Sequence, residues 1–165
     1  MKKNLAKTLS MVFVLALAVF ALVGCGGNDG DKDADAPATV LTEEEYNAKL
    51  AEFEQAAASL QTDMQTKAAE LDPTDIEGAK ALFEEMKKPF ADFAAVEAPE
   101  KYAAAQAKFK SGCEAMIAYI DATVKMVEDP TSVDENTTKE IMDYVQTAMT
   151  DIAEGSTLKA TADAE

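Results

Sequence analysis

The 165-residue chain has no histidine and no tryptophan, and its 15 basic residues are all lysine, so arginine is missing too. Without histidine it lacks the side chain that ordinarily carries protons near neutral pH, and the commonest ligand for transition metals. Without arginine it lacks the planar fork that grips carboxylates and phosphates at two points. Cysteine is nearly absent: the chain has two, Cys25 and Cys113. Positive charge is scarce, with 15 basic residues against 31 acidic ones and a formal net charge of −16. Such a surface repels nucleic acid, which is held by cations at its phosphates, and it repels anionic lipid headgroups. No nucleic-acid partner is expected. Any charged partner should be cationic, and the excess of acid also serves solubility on solvated helix faces.

Long apolar runs are equally scarce, with one exception. Lys2, Lys3 and Lys7 precede "MVFVLALAVFALV", the 13 uninterrupted apolar residues from Met11 to Val23. A membrane span needs about 20 such residues, so the run has the length of the apolar part of an export signal. The alternative is a tilted, uncleaved anchor extended backwards through Leu5 and Leu9. The run closes on Leu22-Val23-Gly24-Cys25, and "GGNDGDKDADAPATVL" follows, glycine- and aspartate-rich and without periodicity. Sixteen residues of that kind form a tether with an r.m.s. reach of about 20–24 Å, lengthened by repulsion among the aspartates. The alternating acids Asp29, Asp31, Asp33 and Asp35 do not make a calcium loop. Counted from Asp29, position 6 is Ala34 instead of glycine, and position 12 is Val40 instead of glutamate.

Basic start, apolar run, Leu-Val-Gly-Cys and polar linker, in that order, resemble the amino end of bacterial lipoproteins. The resemblance covers about the first 25 residues. It implies that residues 1–24 are a signal peptide cut between Gly24 and Cys25, and that the Cys25 sulfur carries a diacylglyceryl group. Residues 25–41 are then the lipidated cysteine and its flexible acidic tether. Two acyl chains, at about 0.8 kcal/mol per buried CH₂, would hold the protein at a bilayer that its charge avoids. The mature chain would keep 12 lysines against 31 acids, a net charge of −19, because the signal carries three lysines and no acid. With Cys25 alkylated, Cys113 has no disulfide partner. The implied location is the outer face of a bacterial cell membrane. The "CGGNDGD" tether favours a single-membrane, Gram-positive bacterium.

From Thr42 the pattern turns helical. Thr42-x-x-Glu45, Thr74-x-x-Glu77 and Ser132-x-x-Glu135 read as three capping boxes. The first helix carries Tyr46, Leu50, Phe53, Ala57, Leu60 and Met64 on one stripe. The second carries Ile76, Ala79, Phe83, Met86, Phe90 and Phe93. On the third lie Tyr102, Ala105, Phe109, Cys113, Met116, Ile120, Val124 and Val127, and on the fourth Thr138, Ile141, Val145, Ala148 and Ile152. Pro89 either kinks the second helix or ends it. Pro99 suits the first turn of the third helix, and Gly155 suits the stop of the fourth. The fold expected is all-α, an antiparallel up-down-up-down four-helix bundle over residues 42–154 with a polar tail at 155–165. A three-helix arrangement and a coiled coil between chains are the alternatives.

Little in this pattern points to catalysis. Cys113 lies mid-helix on an apolar stripe with no histidine to activate it, so it reads as a small buried hydrophobe, and Gly112 beside it permits a close helix crossing. Carboxylate pairs such as Glu84 and Glu85 are too common to single out, and a di-iron bundle needs the histidines that are missing. No catalytic residue, metal ligand or cofactor is assigned. Met64, Met86, Met116, Met142 and Met149 read as core gap-fillers, not as copper ligands. Phe83, Phe90, Phe93 and Phe109 are the candidate lining of an apolar pocket beside Pro89, the alternative being that they fill the core. The function expected is non-catalytic binding or scaffolding by a membrane-tethered module. Its partners would be the membrane, through the lipid, and an envelope protein. The alternative is binding of an apolar or cationic small ligand in that pocket.

Overall fold

The computed structural model describes residues 40–70, 72, 75–129 and 134–165, with the backbone alone at 61, 64, 65, 68 and 69. The segment expected to be a signal, with Gly24 and Cys25, and the expected tether up to Thr39 lie outside the described residues. Among the described residues there is no strand. The elements are α1 (Glu43–Glu70), α2 (Ile76–Ala94), a 3-10 turn (Glu100–Tyr102), α3 (Ala103–Glu128) and α4 (Glu135–Asp163). No described helix is long and apolar enough to cross a membrane.

The helix starts follow local chemistry. At α1 the capping box is reciprocal: the Thr42 amide donates to the Glu45 carboxylate at 2.8 Å, and the Glu45 amide donates to Thr42 Oγ1 at 3.2 Å. Glu43, Glu44 and Glu45 also put negative charge at the positive end of the helix dipole. The other two caps differ from the sequence expectation, and Thr74 and Ser132 lie outside the described residues. Asp75 caps α2, accepting from the Gly78 amide at 2.8 Å, and Asp134 caps α4, accepting from the Thr137 amide at 2.7 Å. An aspartate stands nearer the apolar stripe in both segments. Its carboxylate serves both as amide acceptor and as charge at the dipole.

Three further boundaries are decided by packing. Pro89 neither ends α2 nor replaces its last turns, because the helix continues through it to Ala94. Met86 before it and Phe90 and Phe93 after it are all buried on one face. That shared burial holds the helix across a residue that costs about 3 kcal/mol in a helix interior. Pro99 caps the 3-10 turn, so α3 begins later, at Ala103. Gly155 is not a stop: it is buried inside α4, which runs to Asp163, so the helical unit reaches well into the segment expected to be a tail. A Cβ at Gly155 would sit 2.9 Å from the Phe109 ring. Gly112 on α3 has the same role from the other side, since a Cβ there would lie 2.7 Å from Ile152 Cγ1 and 3.2 Å from the Ala148 carbonyl oxygen. The two glycines let α3 and α4 approach closely.

Contacts between consecutive helices run in opposite senses. Between α2 and α3, Lys80 meets Glu128 at 2.8 Å, Lys87 meets Asp121 at 2.8 Å, and Phe93 lies 5.6 Å from Phe109 between ring centres. Between α3 and α4, the Tyr102 hydroxyl beside the start of α3 donates to Asp163 at 2.7 Å, and Lys108 meets Glu154 at 2.7 Å. Between α1 and α2, Phe53 packs on Phe90 and Phe93, and Lys67 pairs with Glu85. Of these helices α3 is the most enclosed. Of its expected stripe it buries Ala105, Phe109, Cys113, Met116 and Ile120, with Val124 and Val127 half-buried, and it also buries Gln106, Ala115, Tyr119 and Thr123, which fits a helix with neighbours on several sides. The stripes of α2 and α4 depart from expectation at their edges. Ile76 is 41% exposed while Leu82, outside the expected stripe, is buried, and Thr138 lies at the surface. Met142 and Met149 are exposed and fill no gap in the core, unlike Met86 and Met116.

Candidate functional site

Phe83, Phe90, Phe93 and Phe109 are all buried, and they are packed as core. Phe93 stacks on Phe53 with centroids 4.6 Å apart and planes 7° from parallel, and it meets Phe109 edge-on. Phe90 takes the edge of Phe53 at 5.8 Å. Tyr46 closes the cluster, 5.1 Å from Tyr102 and 6.3 Å from Phe93. Phe90, Phe93 and Phe109 thus pack on other rings, and Phe83 is buried in the same core cluster. A polar thread runs through the same region. The Tyr46 hydroxyl donates to Gln106 Oε1 at 3.0 Å, and Gln106 Nε2 donates to the Phe93 carbonyl at 2.9 Å. Burial raises the Tyr46 hydroxyl pKa far above its ordinary value, so it stays a neutral donor.

Cys113 is buried, and desolvation first, with Glu114 adding to it, pushes its thiol up to about 12. A nucleophilic cysteine needs the opposite shift and an accessible sulfur. Among the described residues no three histidine, cysteine, aspartate or glutamate side chains converge as a metal site.

The densest polar constellation joins α3 to α4. Asp151 is a buried carboxylate and accepts from Ser111 Oγ at 2.6 Å and from Lys108 Nζ at 3.0 Å, while Lys108 reaches Glu154 as well. Lys108 and Ser111 are three apart on α3, as Asp151 and Glu154 are on α4, so each pair shares a helix face. The Ser111 bond and then the Lys108 bond hold the Asp151 carboxyl below its usual range, while the Glu154 and Asp151 bonds raise Lys108. A lysine held protonated cannot act as a base, and the serine hydroxyl is spent on the carboxylate. The arrangement is a clasp between helices. A solvent-open hollow of about 310 Å³ beside it is lined by Asp143, Gln146, Thr147, Thr150 and Asp151, all on α4. It therefore offers a ligand described groups from one helix only.

The clasp has a pH signature. A carboxyl held low in the folded state stabilises above its unfolded value of about 3.9, and that stabilisation is lost as pH falls through the folded value. Asp151→Asn should therefore lower stability by a constant amount above about pH 5, with the gap to wild type closing below about pH 4. Urea unfolding of both proteins across that range measures it. A gap that widens on acidification would contradict the clasp.

The clasp was missed in sequence because its two halves look like ordinary solvated helix faces until the α3–α4 register is known. The same holds at the end of the molecule where the described chain begins. There the Leu41 amide donates to the Glu97 carbonyl at 2.9 Å, and Asp163 takes bonds from Tyr102 and from Lys159, whose ammonium lies 5.0 Å over the Tyr102 ring. The first described residues, the α2–α3 connection and the end of α4 are thus tied together.

No protein-family model matches the chain, and neither a curated protein nor a solved structure is similar to it.

Proposed function

We propose that the chain is a bacterial lipoprotein, anchored by a diacylglyceryl group on Cys25 at the outer face of the cell membrane, and that its folded part works by binding and not by catalysis. The observation that carries this reading is the ordered amino end: lysines, 13 apolar residues, Leu22-Val23-Gly24-Cys25, then an acidic linker. Residues 1–24 are removed as signal, and the tether delivers the chain to Leu41, where the Glu97 hydrogen bond fixes its entry into the fold. The folded part is an up-down-up-down four-helix bundle. The reversed contact pairs between consecutive helices support that arrangement. A single-membrane, Gram-positive cell suits the tether best.

Binding is favoured over catalysis because the reactive groups are engaged or buried. Cys113 is a high-pKa core thiol, and Lys108, Ser111 and Asp151 satisfy one another. A small-ligand pocket at Phe83, Phe90, Phe93 and Phe109 is the weaker reading, since those rings pack into the core. Radiolabelled palmitate tests the anchor. It should enter the wild-type protein and be lost completely in Cys25→Ala, and the variant should leave the mature membrane-anchored form. Label retained by the variant would refute the assignment.

A further inference from the structure

α4 carries an uncharged row that the core covers only in part, leaving Met142 and Met149 exposed. Thr138, Met142, Val145, Met149, Ile152 and Ser156 follow at steps of 4, 3, 4, 3 and 4. That alternation is the one by which helices pair along a seam. The core takes hold of α4 through Ala148, Asp151, Ile152 and Gly155, the strip alongside, and of the row it buries Ile152 and takes Val145 against its edge. Met142 is 62% exposed and Met149 37%, Thr138 and Ser156 are at the surface, and Val145 is half-buried. Single exposed apolar residues need no explanation. Two methionines one heptad apart, on a row with no charge in a chain that is 28% charged, are a patterned surface. Methionine is also the side chain that adapts best to a helical partner.

The surrounding charge selects the occupant. Residues 134–158 of this region carry six acids, Asp134, Glu135, Glu140, Asp143, Asp151 and Glu154, and one lysine, Lys139. Lys108 answers Asp151 and Glu154, but Glu135 and Asp143 have no ion pair among the described residues. A second copy would bring an equal row of acids to the seam, on a chain that is itself strongly acidic. Position matters as well. α4 runs back from its Asp134 cap to Asp163, and Asp163 is tied to Tyr102. At about 1.5 Å per residue, Met142 lies roughly 30 Å along the helix from Asp163, the residue at the end where Leu41 enters the fold.

We infer that the row from Thr138 to Ser156 docks an amphipathic helix of another protein, whose apolar face covers Met142 and Met149 and whose flanks are cationic. This deepens the binding role proposed above and rests on it, but it does not depend on the lipid. The test uses the full lipidated chain in neutral detergent micelles, with its methionine methyl groups labelled with carbon-13. The probe is a three-heptad synthetic helix with leucine at the seam positions and lysine at the rest, and its twin has glutamate for lysine. With the lysine peptide, the Met142 and Met149 signals should shift saturably while those of buried Met86 and Met116 stay in place. The glutamate twin should leave all four unchanged. M142Q/M149Q changes only exposed side chains and should weaken binding of the lysine peptide about tenfold or more, read from the anisotropy of a fluorescently labelled peptide, while unmoved Met86 and Met116 signals show that the variant is folded.

Absence of peptide shifts, equal response to both peptides, or full affinity in the variant would overturn the proposal. So would Met142 and Met149 signals that change with protein concentration alone, which would assign the row to a second copy. Palmitate incorporation at Cys25 is indifferent to all these outcomes, so a failed seam and a failed anchor are told apart.

Discussion

Phe93→Ala is expected to destabilise the helical unit by about 3–5 kcal/mol. For a unit of this size that corresponds to a fall in Tm of about 10–20 °C. Phe93 stands where α1, α2 and α3 meet, buried, with Phe53 stacked on it at 4.6 Å and Phe109 edge-on at 5.6 Å. Removing the ring takes away the partner of both neighbours at once. The hole cannot easily close, because Phe53 is also held by Phe90, and Phe109 is also fixed against Gly155. Circular dichroism during urea and thermal unfolding reads the loss. A cost below about 1 kcal/mol would mean that the cluster can collapse, and that the aromatic side chains are not the centre of the core.

Gly112→Val should cost about 3 kcal/mol by overpacking. The space a side chain would need is held by Ile152 Cγ1 at 2.7 Å, by the Ala148 carbonyl oxygen and by the Ile152 amide nitrogen, both at 3.2 Å. The first can swing away, but the other two belong to the backbone of α4 and move only if the helices separate. Separation would also loosen the clasp of Lys108 and Ser111 on Asp151, one turn or less from Gly112 on the same helix. Gly112→Ala is milder, because a gain of about 1 kcal/mol in helix propensity offsets part of the strain. The same unfolding measurements apply. Valine tolerated at wild-type stability would show that α3 and α4 do not approach as closely as these distances require.

What the sequence revealed was the part written in local chemistry. The Thr42–Glu45 capping box stood because every group it needs lies within one turn. The aromatic residues of α2 and the stripe of α3 fell where a period near 3.6 puts them. The caps of α2 and α4 were misplaced because the Thr74 and Ser132 patterns matched the same rule as the aspartates close behind them. Local pattern alone does not rank a hydroxyl box against a nearby carboxylate.

Gly155 was read as a helix stop for the same reason. A glycine late in an apolar stripe resembles a terminator, and only the approach of Phe109 from another helix shows why it belongs in the interior. Pro89 was undecidable from sequence, since its local cost is set against burial on both sides of it. Met142 and Met149 read as core in the sequence because they are apolar and sit beside a stripe. One residue's offset on a helix, about 100°, was enough to carry them to the surface. The clasp at Asp151 needed the register of two helices.

The chemical state of the natural protein's first residue decides most directly whether the chain is a lipoprotein. An intact mass measurement with sequencing of the amino-terminal fragment should find a chain beginning at Cys25, with a diacylglyceryl thioether on its sulfur and nothing from residues 1–24. A natural protein that begins at Met1, or whose Cys25 carries a free thiol, would contradict it.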